Sequence, residues 1–139
     1  LVVFDLALDY NAAQRVVVAA SDQASAKAAT TAAGLFQALG KAVSVLDDVP
    51  GLVVMRTVCM LANEGADAVN QGVCDAAAVD TAMQRGVNYP RGPLAWAEAM
   101  GLAKVVRVLD NLAATYGEDR YRVSPLLRRK VYGGRGFHE

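Results

Sequence analysis

At 139 residues the chain is long enough to bury one core and too short for two independent ones of ordinary size, so length alone predicts one compact unit. Fourteen basic residues balance fourteen acidic ones, which leaves no net field to hold a nucleic-acid backbone or an anionic membrane surface, and neither partner is expected. Hydrophobic residues make up 54% of the chain, yet no uncharged apolar run approaches the roughly 20 residues of a bilayer-spanning helix; the expectation is a soluble, cytoplasmic protein.

The chain opens on "LVVFDLAL", which lacks the basic start and the cleavage site of a signal peptide and reads as a strand entered in mid-course. A piece of a longer polypeptide is therefore expected. A second β-branched run, "RVVVAAS", follows the turn formers of "DYNAAQ". Ser21 or Asp22 then offers an N-cap for a helix of about 17 residues, with Ala29, Ala33, Phe36 and Leu39 at helical spacing and a stop at Gly40. "AVSVLDD" alternates like a strand before Pro50 and Gly51 end it. Strand, helix and strand with tight links predict a right-handed parallel β-α-β unit over residues 1–48.

From residue 49 to 139 only helices are signalled. Val54, Val58, Leu61, Ala62, Gly65, Ala66 and Val69 form an apolar stripe that ends near Gly72. Asp75 caps a second helix over residues 76–85, and Pro93 suits the first position of a third that stops at Gly101. Leu102, Val105, Val106, Leu109, Leu112 and Ala113 mark a fourth, closed by Gly117. Ser124 and Pro125 form an N-cap and N1 pair for a fifth, and "GGRGFHE" reads as a loose tail. The fold class is mainly α, α+β overall: a β-α-β remnant of a parallel sheet followed by a bundle of about five helices.

No glycine-rich dinucleotide turn or P-loop occurs, and "GGRG" has neither a strand before it nor a helix after it. His138, the sole histidine, lies in that tail, where a general base cannot be held within reach of its proton. Cys59 and Cys74 stand fifteen positions apart with no ligating neighbours, so no metal site is expected and reduced, buried thiols are. The polar pair Asn63 and Glu64 interrupts an apolar helix, which reads as a hydrogen-bonded link between helices. Trp96 and Met100 read as core. Arg56, Arg91 and Arg107 are candidates for meeting a phosphate, although lone arginines are more often solvated.

Several motifs occur in a fixed order: "LGK", "PG" before the first long helix, "NE" inside it, "GVNYPRGP", "YGEDRYRVSPLLRR" and a closing "GRGF". Together, from Arg15 to Phe137, they resemble the 3-hydroxyacyl-CoA dehydrogenase family. The resemblance implies a helical C-terminal domain of the 6-phosphogluconate dehydrogenase C-terminal-like type, preceded by the end of a degenerate nucleotide-binding domain. It makes the corner of Tyr89, Pro90, Arg91, Gly92 and Pro93 a wall near the acyl-CoA. It also shows what has changed. Where the family has its catalytic histidine segment this chain has "FDLALDY"; the partner glutamate falls on Val17 and an asparagine on Met55. An isopropyl group and a thioether cannot move a proton.

The implied parent is an NAD-dependent oxidoreductase that oxidises 3-hydroxyacyl-CoA to 3-oxoacyl-CoA, as in β-oxidation of fatty acids or degradation of aromatic acids. This segment is expected to bind no cofactor itself, to be non-catalytic, to form a homodimer and to pack against an upstream catalytic unit. Two alternatives stay open: a self-standing helical association module, and a domain that retains acyl-CoA binding.

Overall fold

The computed structural model describes all 139 residues. The chain divides into two units, Leu1–Met55 and Arg56–Glu139, and not into the single unit that its length predicts. Local sequence decides this: the first 55 residues form a sheet and its crossover helix, and strand signals then cease.

The first unit holds strands β1 (Val2–Phe4), β2 (Arg15–Ala20) and β3 (Ala42–Leu46) in that order across one sheet, with helix α1 (Ala28–Ala38) between β2 and β3. The expected β-α-β unit is present: β2 and β3 are parallel, with Arg15 opposite Ala42 and Val18 opposite Val45. β1 runs antiparallel to β2, placing Val2 opposite Ala20. Val16, Val18 and Ala19 of β2 form its buried centre. α1 is shorter than its periodicity suggests. Ser21 and Asp22 do not cap it, because bonds from the Ala24 and Ala28 amides to the Ser21 and Ser25 carbonyls fold residues 21–28 into turns, and the helix begins after Lys27. β1 stops at Phe4, since the next side chain, Asp5, turns inward and is only 3% exposed.

The second unit is built from α2 (Val54–Asn70), whose first turn carries the boundary, α3 (Ala76–Gly86), α4 (Pro93–Met100), α5 (Leu102–Tyr116), a 3-10 turn (Asp119–Tyr121) and α6 (Pro125–Gly133). Leu94, Val105, Leu109, Leu112 and Leu127 fill its core, with Cys59, Ala62 and Ala66 from α2. Asp75 caps α3 through the Ala78 amide, 2.7 Å away. Trp96 is only half-buried, while Met100 is buried. No helix is long and apolar enough to cross a membrane.

Asn63 is 2% exposed on α2. Its amide nitrogen donates to the Arg122 carbonyl and its oxygen accepts from the Ser124 amide, both at 2.8 Å. Glu64 is exposed and takes no part in that link. Ser124 is not a side-chain cap for α6: its buried hydroxyl has no hydrogen-bond partner, and its backbone carbonyl accepts from Arg128 instead. Asn63→Ala strips the partner from the fully buried Ser124 amide, so it should lower unfolding free energy by about 2 kcal/mol. Urea unfolding of the two chains measures this.

Candidate functional site

Two clusters of polar side chains lie where the sequence places candidate chemistry. In the first unit, Asp5 meets both Val17 and Met55. Its amide donates to the Val17 carbonyl at 2.9 Å. Its carboxylate accepts from the amides of Leu6 (2.8 Å), Val53 (2.9 Å), Val54 (2.6 Å) and Met55 (3.0 Å). These last three amides open α2, where partial positive charge favours an anion. A carboxylate with four amide donors has no lone pair left to take a proton from a substrate. Asp5 and Val17 line a cavity of about 170 Å³ beside Tyr10 and Arg15. Sequence reading placed the substitution in this segment but missed Asp5, whose partners are about fifty residues away.

In the second unit the corner of residues 89–93 is built around Asp80 of α3. Asp80 is 7% exposed and accepts from the Leu94 amide (2.8 Å) and the Ala95 amide (2.9 Å) at the start of α4. Pro93 at the first helical position lacks an amide hydrogen, so Asp80 takes the next two. Gly92 makes this approach possible: a Cβ there would stand 2.1 Å from Asp80 Cγ. Asn88, with φ of 60°, turns the chain into the corner. Tyr89 packs its ring on Trp96, with centroids 5.7 Å apart. Gly92 and Pro93 are buried, while Pro90 and Arg91 are exposed.

The C-terminal residues are not a loose tail. Phe137 is buried, and its amide and that of His138 donate to Glu98 of α4. His138 Nδ1 lies 2.9 Å from Glu98 Oε2, and Nε2 lies 3.2 Å from Asp80 Oδ2. Gly136 belongs to the same device, since a Cβ there would come within 2.6 Å of Glu98 Oε1. The glycine loop thus holds an anion after all, the chain's own Glu98 carboxylate. Burial alone would raise the pKa of Glu98, but hydrogen bonds from the His138 side chain and from the Phe137 and His138 amides outweigh it and hold the pKa below the ordinary value.

Residues 51–136 match the model of the 3-hydroxyacyl-CoA dehydrogenase C-terminal domain, and residues 1–50 that of the 3-hydroxybutyryl-CoA dehydrogenase reduced Rossmann-fold domain. The chain belongs to the 3-hydroxyacyl-CoA dehydrogenase family. It is 41% identical to 3-hydroxyadipyl-CoA dehydrogenase of Escherichia coli over 130 residues, covering 94% of this chain and 27% of that protein. It is 33% identical to 3-hydroxybutyryl-CoA dehydrogenase of Bradyrhizobium diazoefficiens over 108 residues, covering 73% of this chain and 37% of the relative. The crystal structure of 3-hydroxybutyryl-CoA dehydrogenase from Escherichia coli superimposes with a TM-score of 0.85 at 41% identity, over 94% of this chain and 27% of that one. The chain therefore spans about a quarter of the first relative and under half of the second.

A nicotinamide dinucleotide does not fit the β2–α1 connection. Residues 21–27 contain no glycine, and the carbonyls of Ser21 and Ser25 already hold the Ala24 and Ala28 amides. A pyrophosphate needs such amides free at a close-approaching turn.

Two consequences can be measured. Gly92→Ala must push Asp80 off the Leu94 and Ala95 amides, and equilibrium unfolding should show a loss of about 3 kcal/mol. Glu98, whose folded pKa is depressed, contributes stability that is present above its unfolded value of 4.5 and is lost as pH falls through the lower folded value. The gap in melting temperature between the native chain and Glu98→Gln should be widest above pH 4.5 and should narrow as acid is added.

Proposed function

We propose that this chain is the non-catalytic C-terminal part of an NAD-dependent 3-hydroxyacyl-CoA dehydrogenase, serving subunit association and packing against a catalytic unit of the same polypeptide. The observation that carries this reading is the state of Asp5. Between Val17 and Met55, where the family resemblance puts a glutamate and an asparagine, the available carboxylate is saturated by four backbone amides. The parent oxidises a 3-hydroxyacyl-CoA to the 3-oxoacyl-CoA in fatty-acid or aromatic-acid degradation within the cytoplasm, with NAD accepting the hydride in another unit. The name of the Escherichia coli relative extends the substrate class to acyl chains that end in a second carboxylate.

The corner of Tyr89, Gly92 and Pro93 supplies a fixed wall for the acyl-CoA, with Arg91 exposed beside it. Homodimerisation is supported by exposed apolar side chains on the helical unit, among them Val73 at 72% and Tyr132 at 83% exposure.

The chain should neither reduce acetoacetyl-CoA with NADH nor bind NADH saturably below millimolar concentration, and Met55→Asn should restore neither property, because the segment that resembles the family's histidine stretch reads "FDLALDY" and holds no imidazole for the amide to support. Turnover by either protein, followed at the nicotinamide absorbance, would overturn the non-catalytic role. Light scattering at micromolar concentration should give twice the chain mass; a single-chain mass removes the dimer while leaving the catalytic prediction intact.

A further inference from the structure

We propose that His138 is an ionic strap that couples the C-terminal tail to the α3–α4 corner, so that displacing the tail loosens the amides on which the corner is built. The imidazole sits between two acceptors on different helices, Glu98 Oε2 at 2.9 Å and Asp80 Oδ2 at 3.2 Å. A neutral ring can donate from only one nitrogen and would turn a lone pair toward the other carboxylate; the imidazolium donates from both.

Each carboxylate is also committed to backbone. The second oxygen of Glu98 accepts from the Phe137 and His138 amides, and Asp80 accepts from Leu94 and Ala95. One imidazole ring therefore closes a continuous path from the tail amides, through Glu98 and Asp80, to the first turn of α4. Removing it leaves two carboxylates facing a shared space with no positive charge between them. Asp80 can relieve that repulsion only by rotating away from the amides it caps.

The strap is reachable from solvent. His138 has a third of its side chain exposed, and with Glu98 it borders a cavity of about 520 Å³ that Lys130 and Arg135 also line. Lys130 Nζ stands over the neighbouring Phe137 ring, 5.7 Å from its centre. This inference uses only the helical unit and is independent of the reading of the parent enzyme.

Backbone hydrogen exchange on the full chain tests the coupling. His138→Gln should accelerate exchange of the Leu94 and Ala95 amides about tenfold, although neither touches residue 138, and the Phe137 amide should accelerate with them. His138→Arg, which keeps the charge, should restore most of the protection. Val105 and Leu109 amides in α5 should be unchanged throughout. Acceleration confined to the tail, failure of arginine to rescue, or uniform acceleration that includes α5 would each overturn the proposal. Glu98→Gln provides the second arm: it should move Leu94 along with Phe137, and movement of Phe137 alone would count against the strap.

Discussion

The Asp80 carboxylate at the start of α4 is the contact on which the helical unit depends. A charge that is 7% exposed would be costly without partners, and here two amide hydrogens and an imidazole provide them. The rest of the corner follows from that demand. Gly92 has no side chain because the carboxylate occupies the space a Cβ would fill, and Pro93 has no amide to compete for it. Tyr89 is then brought against Trp96, giving the corner an aromatic flank. The Tyr-Pro-x-Gly-Pro sequence is thus a shape dictated by a buried anion on another helix.

The first unit solves a similar problem with Asp5, a buried carboxylate that takes a structural task. A catalytic carboxylate or imidazole must keep a lone pair facing substrate. Asp5 instead directs its oxygens at Leu6 and the first turn of α2, where the amides would otherwise lack acceptors. The gain is a fixed helix start. It comes at the expense of free acceptor capacity, which the four amides occupy.

The sequence was most legible where periodicity or a cap acts over a few residues. The parallel pairing of β2 with β3, the cap at Asp75 and the starts at Pro93 and Pro125 follow from local patterns. Legibility failed where distant contacts decide. Ser21 and Asp22 look like caps, but consecutive turns take up the chain before α1 begins. Ser124 is a sound cap by residue type, yet the Asn63 side chain accepts from its amide and its own buried hydroxyl bonds to no amide of α6. The tail misled most, because His138 and Glu98 are forty residues apart and nothing near either announces the other. The only local sign was the glycine of "GRGF", whose missing Cβ makes room for Glu98. A glycine-rich end was read as freedom when it marked a close approach.

Three side chains in this protein belong to types that carry chemistry elsewhere, and each is constrained by a different physical means. Asp5 is saturated with donors. His138 is held between the Glu98 and Asp80 carboxylates. Cys59 is fully buried in the first half of α2, and burial pushes its thiol up to about 11, against a smaller opposing effect of Lys104, so that the reactive thiolate is suppressed. These effects are independent: one is hydrogen bonding, one is ion pairing and one is desolvation. Placing an asparagine at Met55 would reverse none of them, because the contact of residue 55 with Asp5 is through its backbone amide, and reactivity at any of the three would need that group to be freed as well as positioned.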